Sequence, residues 1–513
     1  MFIPRVKNDS FNLMDSGLFG NIVKKDYKAI GFMSGYTMLD YPTAHTEYNG
    51  NDMAILPNGG FFPRIYTVFG VSETGKTTTL IQVGGSIVDS CWGSTLVFVD
   101  AEGNTTPERI KSLNNWSDSD YRKKCLYYPP SPHISIDDTY NLIRKIAHSK
   151  ASKGDKIKVT TPYKDIYTGE FIKVYPPTVV IVDSVPSLVI SNTAEEAIDG
   201  KKEYKDIEKV VNNIDGMRQA KEHTNFLNKV KGTLDEFNII LLLINHLTKE
   251  PPMSMFDKPK KHHPGFKAGE KLKCGDEQIY QSFGLIRISQ KELIDDRNPV
   301  YGDDIRGYVN SLDHVKNKSN VSANEFKYVF DKLTGIRPEL TDFECLYDKK
   351  IGVEGSPSAM FLTILPEIKF TRKSIISKCE NNPILPRALS FMTKYVVGNE
   401  CVVRNRFGTI NLQEFAKMPY HVRVSIIYSM TTPYSCYNIN TYGNGPIAED
   451  LMIAARGNQH TNLGNGYVSP VNIDIINNIV NKTNAGYSIV EGSSYDPADH
   501  YVKGGAKILP FRK

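Results

Sequence analysis

The chain of 513 residues lacks any cysteine pattern. Its seven cysteines stand singly, at Cys91, Cys125, Cys274, Cys345, Cys379, Cys401 and Cys436, with no CxxC pair and no histidines at zinc spacing. This argues against a zinc ribbon or a disulfide-stapled scaffold and fits reduced thiols in a cytoplasmic protein. Long apolar runs are missing too. Ile239–Ile244 is one of the longest, and a bilayer needs about 20 residues. The opening MFIPRVKNDS has no charged-then-apolar leader pattern, so a cytoplasmic location without membrane contact is expected, in the host cell if the chain is viral. Charge of one sign is scarce: 62 Lys and Arg against 57 Asp and Glu leave +5. Any nucleic-acid site must therefore come from local clustering. There are no internal repeats. What remains, 40% hydrophobic and 23% charged, is ordinary for a globular protein with a large core.

The order of patterns indicates an α/β fold. Short β-branched or Leu-rich runs at Ile65–Phe69, Thr95–Asp100, Thr178–Asp183 and Ile239–Asn245 read as strands buried on both faces. Helical stretches, the first over Lys76–Ser90, separate them, so a mainly parallel twisted sheet is expected. Residues 1–28 read as an arm and 29–345 as the core. The stretch 153–177, with its Tyr167-Thr168-Gly169 turn, reads as an inserted hairpin. Residues 346–513 are expected to form an additional α+β domain and tail, with helices near Lys373–Cys379 and Leu412–Met430.

Gly70-Val71-Ser72-Glu73-Thr74-Gly75-Lys76-Thr77 fits GxxxxGK[ST], after a strand and opening a helix. Glycines let the backbone N–H groups turn toward phosphate oxygens, and the helix start adds partial positive charge. Lys76 would reach the β- and γ-phosphates, Thr77 would offer its hydroxyl to Mg2+, and Thr78 continues the binding turn. Asp183 ends the run Val179–Val182, where a carboxylate can hold Mg2+ through water or cap a helix. Glu102, after the strand Leu96–Val99, is placed either to polarise a water or to face solvent.

Together these strings resemble the RecA-type recombinases, most of all those of large bacteriophages. SGYTMLD, NGGFFPRIYTVFG, VSETGKTTTL, FVDAEGNTTPERI, VVIVDSVPSL, IILLLINHL, HVKNK and EFKYVFDKLTGI stand in the family's order, over roughly 60% of the chain. The resemblance implies a RecA-like P-loop ATPase core. Glu102 would be the catalytic glutamate, Asp183 the Walker B residue and His246 the γ-phosphate sensor. Lys316 and Lys318 would reach a neighbouring subunit's ATP. Where the family has a tyrosine that stacks on adenine, this chain has Arg109, whose guanidinium can also stack.

The stretch 249–273, KEPPMSMFDKPKKHHPGFKAGEKLK, is a basic loop interleaved with aromatics. Lys258, Lys260, Lys261 and Lys267 would neutralise phosphates, and Phe256 and Phe266 would stack on bases. The family places its second DNA loop here and its first near 191–205. The expected function is ATP-dependent pairing and strand exchange between single-stranded and double-stranded DNA by a helical homo-oligomeric filament. Leu18 and Phe19 of the arm would pack on the next subunit. Residues 346–513 would gate duplex entry or bind a loader or single-strand-binding protein. Two other readings share this core. One is a hexameric helicase, which usually carries an arginine finger where this chain has VKNK; the other is a non-catalytic ATP-binding scaffold.

Overall fold

The computed structural model describes residues 29–48, 55–91, 93–130, 134–165, 167–190, 208–249, 261, 263, 265–302, 305–320, 322, 325–382 and 384–394, with short pieces beyond. An entry segment, 29–44, bridges Phe32 to Phe61 and leads to a ribbon of β1 (His45–Tyr48) and β2 (Ile55–Asn58). The strands that follow are β3 (Ile65–Gly70), β4 (Thr95–Asp100), β5 (Cys125–Tyr128), β6 (Val159–Lys164), β7 (Phe171–Val174), β8 (Thr178–Asp183), β9 (Ile239–Lys249), β10 (Glu270–Leu272), β11 (Gly284–Ile294), β12 (Gly307–Asn317), β13 (Glu325–Asp331) and β14 (Gly335–Ile336).

Ten of these form one sheet in the order β14-β13-β12-β11-β3-β9-β8-β4-β5, with β10 beside the far end of β9. From β5 to β11 neighbouring strands run parallel, and β12 to β14 continue antiparallel. The parallel strands are apolar on both sides because both sides are covered. Leu96, Phe98, Val179, Ile181, Ile240, Leu242 and Ile244 pack on one face with Leu80, Val83 and Ile87 of the helix Lys76–Ser90. Val97, Val99, Val180, Val182, Leu241 and Leu243 pack on the other with the helices Ile136–Lys153 and Glu208–Glu236. Alternate residues of one run therefore serve opposite cores. The helix Ile136–Lys153 starts on a capping box, in which Ser135 and Asp138 each satisfy the other's backbone N–H.

β6 and β7 form a separate antiparallel ribbon within residues 153–177. Past β14 the helix Pro338–Lys349 runs through the boundary expected at 345. Its Leu340, Phe343 and Leu346 join the same core cluster as Met360, Leu365 and Phe391, so packing is continuous across that point. A three-stranded meander, β15 (Val353–Ser356), β16 (Ala359–Leu362) and β17 (Leu365–Phe370), follows. The helices Ile375–Asn381 and Ile384–Met392 come next, and Leu412–Ala416 is helical at the start of the expected 412–430 helix. The arm 1–28, the 191–205 stretch and most of the tail lie outside the described residues. Among the described residues no helix is long and apolar enough to cross a membrane.

Candidate functional site

The loop between β3 and the helix Lys76–Ser90 is shaped by its glycines. A Cβ on Gly70 would stand 2.2 Å from the Ile288 carbonyl oxygen, and one on Gly75 would stand 2.6 Å from the Phe330 ring. Gly75 also has φ +80°, which a side chain disfavours. Behind the loop, Asn310 Nδ2 donates to the Thr74 carbonyl (3.0 Å). Thr74 Oγ1 donates to the Val71 carbonyl (3.1 Å). Val71, Ser72 and Glu73 are exposed, and Thr77 and Thr78 are half-buried on the first helical turn. Lys76 is only 5% exposed, and its Nζ donates to the Val71 carbonyl at 2.7 Å. Burial pulls its pKa down to about 8, against the nearby carboxylates Asp183 and Glu102.

Strand register sets the remaining groups in a row. Gly70 lies opposite His246, and Asp100 lies opposite Asp183, all at the carboxyl ends of parallel strands, where open α/β sheets bind ligands. Thr77 Oγ1 donates to Asp183 Oδ2 at 2.6 Å. Burial pushes the Asp183 carboxyl up to about 6. These two hard oxygens fit Mg2+, which needs few protein ligands because water and phosphate oxygens complete its shell.

The Glu102 amide donates to the Asp183 carbonyl (3.0 Å). Its Oε1 lies 3.1 Å from His246 Nε2 and accepts from the Ser184 hydroxyl, while Oε2 accepts from Asn104 Nδ2 (3.2 Å). The His246 bond leads in pulling this carboxyl down to about 2. His246 Nδ1 is buried and has no hydrogen-bond partner among the described residues, so the tautomer that suits the pair carries its proton on Nε2.

Residues that the sequence reading did not single out complete the site. Asp100 accepts from the amides of Gly103 (2.8 Å) and Thr105 (3.1 Å) and from the Tyr127 hydroxyl (2.9 Å), and so shapes the loop that presents Glu102. Its signal was available: a carboxylate that ends a buried strand two residues before the glutamate. Ser184 had none beyond following Asp183.

Several expected residues sit otherwise. Arg109 Nη1 and Nη2 donate to the carbonyls of Leu333 (2.6 Å) and Lys332 (3.1 Å). Its in-plane donors thus hold the turn after β13, and only its faces are left for a base. Phe266, expected as a base platform, is 2% exposed and stacks on Phe69 at 4.9 Å and 5°. This is a correction: the ring is packed in the interior because the chain folds back over the sheet. Lys261 and Lys267 are exposed, while Phe256, Lys258 and Lys260 lie outside the described residues.

Lys316 and Lys318 lie at the other end of the sheet. Lys316 pairs with Leu285, and Gly284 pairs with Tyr66 near the start of β3. Leu285 in turn pairs with Thr67, so about 10 Å of strand separates the level of Lys316 from Gly70. Lys316 Nζ donates to the carbonyls of Ile279 (2.5 Å) and Tyr280 (2.9 Å), and Lys318 Nζ lies 3.5 Å from the Tyr280 carbonyl. Burial, with Lys318 and Lys231 adding to it, pulls Lys316 down to about 8. A cavity of about 440 Å³ beside them is lined by Arg64, Lys231, Asp235, Gln281, Phe283 and Lys318, among others.

No protein-family model matches this chain, and no curated protein matches it significantly.

Proposed function

We propose that this protein is an ATP- and Mg2+-dependent DNA recombinase of the RecA type, which assembles on single-stranded DNA and pairs it with duplex. One observation carries the reading. A glycine-shaped loop with a buried lysine, a Thr77–Asp183 oxygen pair and a Glu102–His246 pair converge at the ends of adjacent parallel strands. The loop amides and the helix start would cradle the phosphates. Lys76 would exchange the Val71 carbonyl for a phosphate oxygen. Mg2+ on Thr77 and Asp183 would neutralise charge on the β- and γ-phosphate oxygens.

Glu102 would orient and deprotonate the attacking water. A carboxyl held near 2 by His246 and Ser184 is a weak proton acceptor. Transfer of the His246 proton donor to a terminal phosphate oxygen would restore its basicity. The sensor and the base are thereby one switch. Lys316 and Lys318, remote from their own loop, would serve the nucleotide of an adjoining subunit.

Electron microscopy with single-stranded DNA and a non-hydrolysable ATP analogue, beside a phosphate-release assay, tests this. Open helical filaments and DNA-stimulated release are expected. Closed rings would return the chain to the helicase reading, and absence of release would leave a scaffold.

A further inference from the structure

The Gly70–Thr77 loop has two flanks. Glu102, Asp183 and His246 belong to β4, β8 and β9 or to the turns that follow them, on one side of β3 in the sheet, and β11 to β14 lie on the other side. A nucleoside triphosphate on the loop, with its terminal phosphate at the first flank, carries its base toward the second. There the turn at residues 331–335 leaves β13. Phe330, just before it, lies against Gly75. Gln82, on the helix that the loop opens, pins the turn down: its Nε2 donates to the Thr334 carbonyl (2.9 Å) and its Oε1 accepts from the Ile336 amide (2.7 Å). Arg109 holds the same turn from the helix Pro107–Asn114, through the carbonyls of Leu333 and Lys332. Leu333, 75% exposed, and the half-buried Arg109 thus stand together as a shelf. The hydrogen-bonding groups of the turn are engaged within the fold. The carbonyls of Lys332, Leu333 and Thr334 each accept from a side chain, the Thr334 hydroxyl donates to Asp331 Oδ2 (2.6 Å), and the Lys332 ammonium lies over the Tyr308 ring at 5.1 Å.

We propose that the Leu333–Arg109 shelf holds the base by its face without reading its edge, so that the substrate class is nucleoside triphosphates in general, with ATP one member of it. The inference rests on the nucleotide reading of the Gly70–Thr77 loop and widens it. Leu333 offers apolar area alone. Arg109, with two of its forked N–H groups turned into carbonyls, offers its plane, and every base has a face that can stack on it. Selection by base needs groups that pair with the base edge. A site built that way rejects an analogue lacking the matching group by about 10⁴–10⁵-fold, whereas apolar contact separates ligands by about 10–200-fold. The phosphates, which all four nucleotides share, supply the common part of the affinity.

Titration calorimetry of the full chain with Mg2+ and the non-hydrolysable β,γ-imido forms of ATP, GTP, CTP and UTP tests this without nucleic acid. The four dissociation constants should lie within about 200-fold of one another. A preference for the ATP form beyond that overturns the inference and leaves the nucleotide reading standing. Binding of none of the four overturns both. Leu333→Ser, at a position too exposed to endanger the fold, checks the shelf itself. It should weaken all four nucleotides by a similar factor, about fivefold or more for the lost apolar contact. Inorganic triphosphate, which has no base, should bind the variant as it binds the wild type. An equal loss for inorganic triphosphate would mean that Leu333 acts by shaping the loop, and no loss for the nucleotides would place the base elsewhere. Either result overturns the proposal.

Discussion

At the carboxyl ends of the parallel strands, charges of opposite sign gather within one chain: Lys76 beside Asp183 and Glu102, and His246 on Glu102. At the amino ends the gathering is of one sign. Lys231, Lys316 and Lys318 stand near one another and face carbonyl and amide oxygens; the carboxylate lining that cavity, Asp235, is engaged by Arg64. The first arrangement is electrostatically closed and needs only a substrate. The second is half of an arrangement, since clustered cations are relieved when an anion arrives. On the proposed recombinase reading, the difference would separate a site complete in one subunit from a surface that becomes useful on assembly.

The largest effect should come from the closed end. Lys76→Ala removes a charge-assisted contact on the order of 2–3 kcal/mol, and the intact lysines at the far end cannot replace it. ATP turnover and strand exchange, followed by phosphate release and joint-molecule formation, should both collapse. Turnover close to wild type would dissolve the contrast between the two ends. Next comes Glu102→Gln, which keeps shape and removes the base. Hydrolysis should drop by roughly 10²–10⁴-fold while nucleotide binding and DNA-bound assemblies persist. Loss of ATP binding in this variant would show that Glu102 serves structure.

The far end is tested by Lys316→Ala/Lys318→Ala. Fold and much of the ATP binding should remain, and DNA-stimulated hydrolysis should be lost, since on the proposed reading positive charge there would act on a phosphoryl group only across an interface. Mixing this variant with Glu102→Gln on one DNA strand should give turnover above the mean of the two, because some interfaces join an intact Glu102 to intact lysines. A result equal to that mean, with co-assembly verified, confines the lysines to capping the helix Glu277–Gln281.

The smallest effect concerns His314, two residues before Lys316. It is fully buried, donates to the Met38 carbonyl (2.8 Å), and is held down to about 4 by burial. Its folded pKa lies below its unfolded value of about 6.5. Its contribution is therefore whole above that value and is lost as pH falls toward 4. His314→Gln should flatten the pH dependence of denaturant stability in this window by up to about 1.4 kcal/mol per pH unit. An unchanged slope would mean that the ring takes up its proton in the fold.

Much of the sheet, and the placing of the Gly70–Thr77 loop between a strand and a helix, was legible because the information there is local. Six-residue runs such as Thr178–Asp183 are buried throughout, and the GxxxxGK[ST] spacing carries its own geometry. What could not be read depends on partners far along the chain. Arg109 is held by carbonyls 223 and 224 residues away. Phe266 among lysines has the composition of a base-stacking loop, and only the fold-back onto Phe69 makes it interior. The helix Pro338–Lys349 runs across the expected boundary, and its apolar residues share one cluster with residues on both sides of that point.

The ribbon β6–β7 sits on the connection into the start of β8, at the end of the sheet away from Gly70 and Asp183. Around Gly169, φ +69°, none of the described residues lies within 4 Å of where a side chain would begin, and Tyr167 and Phe171 are exposed. Growth of the chain at this tip is nearly free of consequence for chemistry, because each doubling of a flexible loop costs only about 0.6 kcal/mol. It is the place where a lineage could acquire a new module, or an experimenter could graft a reporter, while the edge that carries Gly70 and Asp183 stays as it is.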